Sequence, residues 1–258
     1  MSYCDVPLTV QDQQGFDPAE EAKRTIDEAE KTNVTLRLLG GLAIRVHCHG
    51  QHSSHIRAYH DTDFFGLGSQ RTQIESLFKK LGYIPNPRYN LLHGYRRLEF
   101  YDKSHDRNVD VFFDRFEMEH ELDFKRRVGL DRYTIPLTDL LLTKIQIVKV
   151  NEKDLKDIVA ILEDHEVASK SDKETIDLEY IARLCSKDWG LHNSVMANLD
   201  ILESFITGHK LVVRDEAAIM KKVKAIREAI AQRPKSLRWK IRAKIGERIR
   251  WYQEVEGG

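Results

Sequence analysis

The run Val109-Asp110-Val111-Phe112-Phe113 is almost uninterrupted in its apolarity. A run of this kind marks a strand buried on both faces, so the chain needs a sheet with other layers packed against each side. Asp110 is the exception inside it. An ionised carboxylate in such a strand is costly unless a metal ion or a cation pairs with it. Any fold for this chain must therefore provide both a sheet interior and a counter-charge at Asp110.

A second constraint lies upstream. Val34 to Leu39 is expected to be a strand that ends at Gly40-Gly41, where a helix begins and runs to about His47. Paired glycines let the backbone approach a ligand closely, and a helix N-terminus offers free N–H groups and partial positive charge to a phosphate. Gly50 to His60 is a polar loop, and Asp61 to Leu67 is the next strand. On that strand Asp61 and Asp63 are two residues apart and share a face. With Asp110 as the third member, three carboxylates around one or two Mg²⁺ ions would hold a triphosphate and stabilise the attacking and leaving oxygens. The bland alternative makes Asp61 and Asp63 turn residues and pairs Asp110 with one of the arginines nearby.

The other elements follow from periodicity. Asp17-Pro18 caps a helix running to about Lys31. Gln70 to Leu81 is a helix that stops at Gly82, and Pro85 and Pro87 mark a turn. Tyr95–Tyr101 and Val109–Phe116 form a hairpin across Asp102–Asn108. After Pro136 the pattern is helical to Tyr252. The candidate helices are Leu137–Val150, Glu152–Glu163, Thr175–Cys185, His192–Ile206, Asp215–Ala231 and Ser236–Gln253, with Ala168–Glu174 as a linker. The fold class expected is α+β: a mixed β-sheet with flanking helices over residues 1–135, then a helical domain over 136–258.

These motifs resemble the nucleotidyltransferase superfamily that includes DNA polymerase β. Its members show strand-Gly-(Gly or Ser)-helix, then Asp-hydrophobic-Asp, then a third acid on a later strand. Gly40-Gly41-Leu42-Ala43 and Arg57-Ala-Tyr59-His-Asp61-Thr-Asp63 most resemble the bacterial stand-alone branch that contains AbiEii-type toxins. The likeness covers Leu36 to Leu162. It implies that Asp61, Asp63 and Asp110 are catalytic and bind Mg²⁺, with Asp110 also helping to activate the attacking hydroxyl. Gly40, Gly41 and Arg57 fall to the nucleotide. Leu140-Leu-Leu-Thr-Lys144-Ile-Gln resembles a segment of the same branch in which a lysine faces the triphosphate. From the periodicity alone, Lys144 sits within an apolar stripe and either snorkels to water or meets an anion. Asp157 could orient it.

Other features point to less. His47, His49, His52, His55 and His60 crowd one segment with Cys48, but their spacing matches no usual zinc pattern, and a solvated loop is the simpler account. The basic C-terminal stretch, from Arg233 to Arg250 with Trp239 and Trp251 interleaved, suits RNA phosphates. The simpler account is an amphipathic helix docked through Leu237, Ile241, Ile245 and Ile249 with its basic face solvated. Lysine plus arginine equals aspartate plus glutamate at 41 each, so no global field favours nucleic acid or an acidic partner. The three cysteines are scattered, no run is long enough to span a bilayer, and the N-terminus does not read as a signal peptide, so a cytoplasmic protein is expected.

The expected activity is Mg²⁺-dependent transfer of an NMP from an NTP to a hydroxyl acceptor: a small molecule, an RNA or a protein. The rival is an inactive member of the fold that binds nucleotide, RNA or protein as a regulator.

Overall fold

The structure is a computed structural model that describes residues 16–48, 59, 61–169 and 174–254. Its architecture is α+β, with a mixed sheet followed by helices. α1 (Pro18–Lys31) starts where the Asp17 carboxylate accepts from the Ala19 N–H, with Pro18 in the first turn. β1 (Leu36–Leu39) runs directly into α2 (Gly40–His47). Then come β2 (Asp61–Gly66), α3 (Arg71–Lys80), β3 (Ile84–Pro85), α4 (Pro87–His93), β4 (Arg97–Asp102) and β5 (Arg107–Phe113). Among the described residues these strands form a five-stranded sheet in the order β1-β2-β5-β4-β3. All neighbours are antiparallel except β2 and β5, which run parallel.

Side-chain alternation along β2 divides it between two layers. Phe64 meets Phe78 of α3 at 5.5 Å between ring centroids, and Phe65 meets Phe124 at 5.7 Å on the opposite face. Both are fully buried, as a central strand requires. β6 (Arg115–Glu117) and β7 (Glu121–Asp123) form a small hairpin that brings Phe116 to Phe112 and Phe124. The outer edge of β1 is closed by the chain just before residue 136. Leu38 N–H donates to the Tyr133 carbonyl at 2.7 Å, and Ile135 N–H donates to the Leu38 carbonyl at 2.9 Å, so the edge is not left as an open template.

The remaining chain carries α5 (Leu137–Ile145), α6 (Glu152–Asp164), α7 (Leu178–Cys185), α8 (Trp189–Thr207), α9 (Glu216–Gln232) and α10 (Leu237–Ile245). One hydrophobic cluster extends from Ala19 to Ile230 and crosses residue 136 without a break. No described helix is long and apolar enough to cross a membrane.

Several expected elements are corrected. The Pro85–Pro87 turn leads straight into α4, because Pro87 occupies a first-turn position that needs no N–H and Asn86 accepts from the Tyr89 N–H at 3.1 Å. α5 ends at Ile145, not Val150; the Asn198 amide of α8 takes the carbonyls of Ile145 and Ile147 at 2.8 and 2.6 Å. Thr175 begins a strand, not a helix. β8 (Glu166–Ala168) pairs in parallel with β9 (Thr175–Asp177), and α7 starts only after Asp177 caps it. The expected Ala168–Glu174 linker thus begins in β8, and residues 170–173 lie outside the described ones.

The C-terminal region departs furthest. α8 begins at Trp189 rather than His192, capped by Asp188. Gly190 lies inside it because a Cβ there would come within 2.6 Å of the Trp251 carbonyl oxygen. α10 stops at Gly246, whose φ of +61° an L-residue rarely adopts. The stripe expected to dock it is turned outward, with Leu237 74%, Ile241 56% and Ile249 60% exposed. α10 instead presents Trp239 to His192, at 5.1 Å between ring centroids, and lays Arg242 over the Trp189 ring at 4.7 Å. An edge-to-face aromatic contact and a cation–π pair hold this helix in place of the aliphatic stripe.

Asp139 at the start of α5 yields a test of the helical half. It is fully buried, its Oδ2 accepts from Arg127 Nε at 2.7 Å, and burial pushes its carboxyl up to about 6 although Arg127 and Tyr180 oppose the shift. The folded state therefore holds this proton more tightly than the unfolded chain, whose value is about 3.9. The stability contribution of Asp139 falls as pH rises from about 4 to about 6 and levels off above. Urea unfolding of wild type and Asp139→Asn across this range should show their difference changing by of order 2–3 kcal/mol. A difference independent of pH would contradict the assignment.

Candidate active site

The parallel pairing of β2 with β5 sets Asp63 directly opposite Asp110, and Asn108 opposite Asp61. Asp61 and Asp63 share a strand face. The antiparallel pairing of β5 with β4 adds Glu99 opposite Asp110. Three adjacent strands thus bring Asp63, Asp110 and Glu99 into one row of acids, with Asp61 at its open end. Asn108 Nδ2 donates to Asp61 Oδ1 at 3.4 Å.

This much like charge requires compensation, and two cations supply part of it. Arg97 of β4 forks onto Asp110, with Nε on Oδ1 at 2.9 Å and Nη2 on Oδ2 at 3.0 Å, a bidentate charge-assisted pair. Its Nη2 also lies 3.2 Å from Glu99 Oε1. Arg97 is itself braced against the rings of Phe112 and Tyr89. The Asp110–arginine pairing weighed from the sequence is therefore present. Burial still holds the Asp110 carboxyl above its ordinary range despite Arg97.

The second cation is Lys144 of α5. Its Nζ lies 2.8 Å from Asp154 Oδ1 and 3.0 Å from Asp157 Oδ2, both on α6. Burial opposes its charge, but these two carboxylates outweigh burial and raise its pKa. Its positive charge is also felt at Asp63. Asp157 and Asp154 together orient it.

Asp63 remains the least compensated carboxylate. Burial first, then the charge of Asp110, push it up to about 7, with Lys144 and Arg97 only partly opposing. It lies against the start of α2: a Cβ on Gly40, whose φ is +70°, would fall 2.4 Å from Asp63 Oδ2. Gly40 is thus required by the carboxylate beside it as well as by its backbone. No side chain caps α2, so its first-turn N–H groups, where Gly41 lies, face this same corner. Arg57 and His60 fall outside the described residues.

The donor set suits a hard divalent cation. Asp61 and Asp63 offer carboxylate oxygens, and the raised pKa of Asp63 marks a shortage of positive charge where such an ion would sit. Asp110 could join only by sharing its oxygens with Arg97. Among the described residues, the one trio of His, Cys, Asp or Glu with ligand atoms all within 4.8 Å of one another is elsewhere: His47, His165 and Glu174. The Asp61, Asp63 and Asp110 oxygens are spread more widely.

The sequence suggested an arginine on Asp110 without singling out Arg97, and gave no sign of Glu99 or Asp154. Arg97 and Glu99 were accessible in principle, because a hairpin turning between 102 and 107 places Glu99 against Asp110. The Asp154 contact rests on how α5 and α6 cross, which no local pattern reports.

No family model and no curated protein matches this chain. Solved structures similar to it include the lincomycin-bound lincosamide antibiotic adenylyltransferase LnuA, at 17% identity over 55% of this chain and 94% of that one, with a TM-score of 0.40. The antibiotic-resistance factor ANT(2'')-Ia is 12% identical over 74% of this chain and 96% of its own, with a TM-score of 0.38. An antigenic nucleotidyltransferase-like protein from Paracoccidioides brasiliensis is 11% identical over 78% and 95%, with a TM-score of 0.41.

The Gly40–Asp63 contact is directly testable. Gly40→Ala should destabilise the fold by roughly 1–3 kcal/mol through its left-handed backbone and the clash. Adding Asp63→Ala should recover part of that loss, so thermal unfolding of the double variant should fall short of the sum of the two. Strict additivity would rule the contact out.

Proposed function

We propose that this chain is a Mg²⁺-dependent nucleotidyltransferase that moves an NMP from an NTP to a hydroxyl acceptor. The observation that carries this is the register of β2 with β5, which places Asp63 beside Asp110 and Asp61 on the same face, at the uncapped start of α2. Asp61 and Asp63 would hold the ion, joined by Asp110. Bound there, Mg²⁺ would neutralise and orient the phosphates of the donor.

The chain's own groups do the rest. The first-turn N–H groups of α2 at Gly40 and Gly41 bind phosphate oxygens. Lys144, kept charged by Asp154 and Asp157, offsets part of the acidic field around Asp63 and favours an anionic ligand there. Arg57 is assigned to the nucleotide from its place in the motif. Asp110 accepts the proton of the attacking hydroxyl at whichever oxygen Arg97 releases. Positioning and charge neutralisation supply the barrier reduction, without a covalent intermediate. Residues 136–258 cover the substrate and choose the acceptor. The free, buried thiols of Cys48 and Cys185 suit a reducing cytoplasm, and the likeness of the motif supports membership of the AbiEii-type branch.

A second reading has a specific observation behind it. Arg97 engages both oxygens of Asp110, which suits a nucleotide-binding regulator that performs no transfer.

The deciding experiment is incubation with each α-labelled NTP and Mg²⁺, with total RNA, a small-molecule panel and the protein itself as acceptors. Label transfer is expected, falling at least about a hundredfold in Asp61→Ala. Nucleotide binding indifferent to Mg²⁺, with no transfer, would establish the regulator instead. Mg²⁺ binding should also release a proton at pH 6, because Asp63 must give up its proton to accept the ion. Below about pH 7 the apparent Mg²⁺ affinity should drop roughly tenfold per pH unit. Calorimetry in buffers of different ionisation heat reads this directly, and Asp63→Asn should abolish the proton release.

A further inference from the structure

His47, His165 and Glu174 come from three distant parts of the chain. His47 is the last residue of α2, His165 caps the end of α6, and Glu174 precedes β9. Both imidazoles are buried. His47 Nδ1 lies 4.0 Å and His165 Nδ1 3.6 Å from the same atom, Glu174 Oε2. The rings meet edge to face with centroids 5.9 Å apart.

The surroundings of His47 orient its ring. Nε2 lies 2.6 Å from Thr134 Oγ1. That hydroxyl also reaches Asp131 Oδ1 at 3.4 Å, and with its proton given there it would accept the Nε2–H of His47. Nδ1 is then the lone-pair nitrogen, and it faces Glu174. A relay from carboxylate to hydroxyl to imidazole of this sense would favour the tautomer a metal ligand needs. His165 is satisfied poorly for a buried histidine. Its Nδ1 has one long contact, 3.2 Å to the Glu174 carbonyl, and its Nε2 is buried with no hydrogen-bond partner among the described residues. Buried polar atoms are rarely left so. Because a carbonyl only accepts, Nδ1 carries the proton in this contact, so coordination at Nδ1 would displace that proton and open the carbonyl contact.

We propose that His47, His165 and Glu174 form a binding site for a zinc-class transition metal ion. Two imidazoles and one carboxylate are a zinc donor set, distinct from the oxygen-only ligands Mg²⁺ takes. Around a tetrahedral ion the donor atoms would stand about 3.3–3.5 Å apart, so the His165–Glu174 spacing would contract by a few tenths of an ångström and the His47–Glu174 spacing by roughly half an ångström or slightly more. Three protein ligands leave a fourth position for water. The site is separate from the carboxylate row, since Gly40 and His47 are opposite ends of α2, about 10 Å apart along its axis. Occupied, it ties the end of α2, in the sheet half, to α6 and β9, in the helical half. It acts as a structural clip, independent of nucleotide chemistry.

The test uses the full-length chain stripped of metal, titrated with Zn²⁺ by calorimetry and with Co²⁺ by visible absorption. One equivalent should bind, with the absorption of four-coordinate Co²⁺ and a rise in the thermal midpoint with Zn²⁺. Glu174 is exposed, so Glu174→Gln should keep the fold while weakening binding by more than about tenfold and removing the thermal shift. His165→Gln should abolish the site, and Thr134→Val should weaken it roughly 10–100-fold. Replacing His49, His52 and His55 together by Gln should leave it intact. No stoichiometric Zn²⁺ binding, binding unchanged in Glu174→Gln, or binding lost only in the His49/His52/His55 variant would each overturn the proposal. None of these readouts depends on nucleotidyl transfer, so this site and the carboxylate row stand or fall separately.

Discussion

The parallel contact between β2 and β5 forces Asp63 and Asp110 together, and much of the surrounding structure is a response to that. Two carboxylates in adjacent register, one of them close-packed under a helix N-terminus, cannot both ionise without nearby positive charge. Arg97 is stationed on the neighbouring strand and stacked between two rings so that it can fork onto Asp110. Lys144 is buried where its field reaches Asp63, and it is kept protonated there only because α6 supplies two further carboxylates. Gly40 is glycine because the Asp63 carboxylate leaves no room for a side chain.

This arrangement divides the acids into two kinds. Asp110 is largely satisfied by Arg97, whereas Asp63 is left partly uncompensated, its carboxyl raised to about 7. A stable fold with no ligand to bind would gain by neutralising both. Retaining one carboxylate short of counter-charge costs stability, and perturbed groups of this kind concentrate at functional sites.

Local pattern made the frame of this site legible. The Gly40-Gly41 corner, the Asp61/Asp63 pair and the buried Asp110 all lie within short segments whose periodicity declares strand or helix. The parts that escaped are those set by how elements cross. That Arg97 faces Asp110 depends on hairpin register. That Lys144 is shared by Asp154 and Asp157 depends on the packing of α5 against α6, and the meeting of His47, His165 and Glu174 on three connections at once. α10 misled for a related reason. Its four-residue aliphatic spacing described an amphipathic helix correctly, but spacing cannot say which side docks, and the aromatic contacts of Trp239 and Arg242 with α8 decided it.

The strand-like pairing of residues 133–135 with the outer edge of β1 bears on how the two halves can move. A swing about any residue before 133 would pull on a segment zipped to the sheet and strip β1 of its outer partner. The boundary expected at residue 136 therefore follows directly on a segment fixed to the sheet. Any relative motion of the two halves has to begin at or beyond residue 136, where the buried core that α5 shares with the sheet half opposes it.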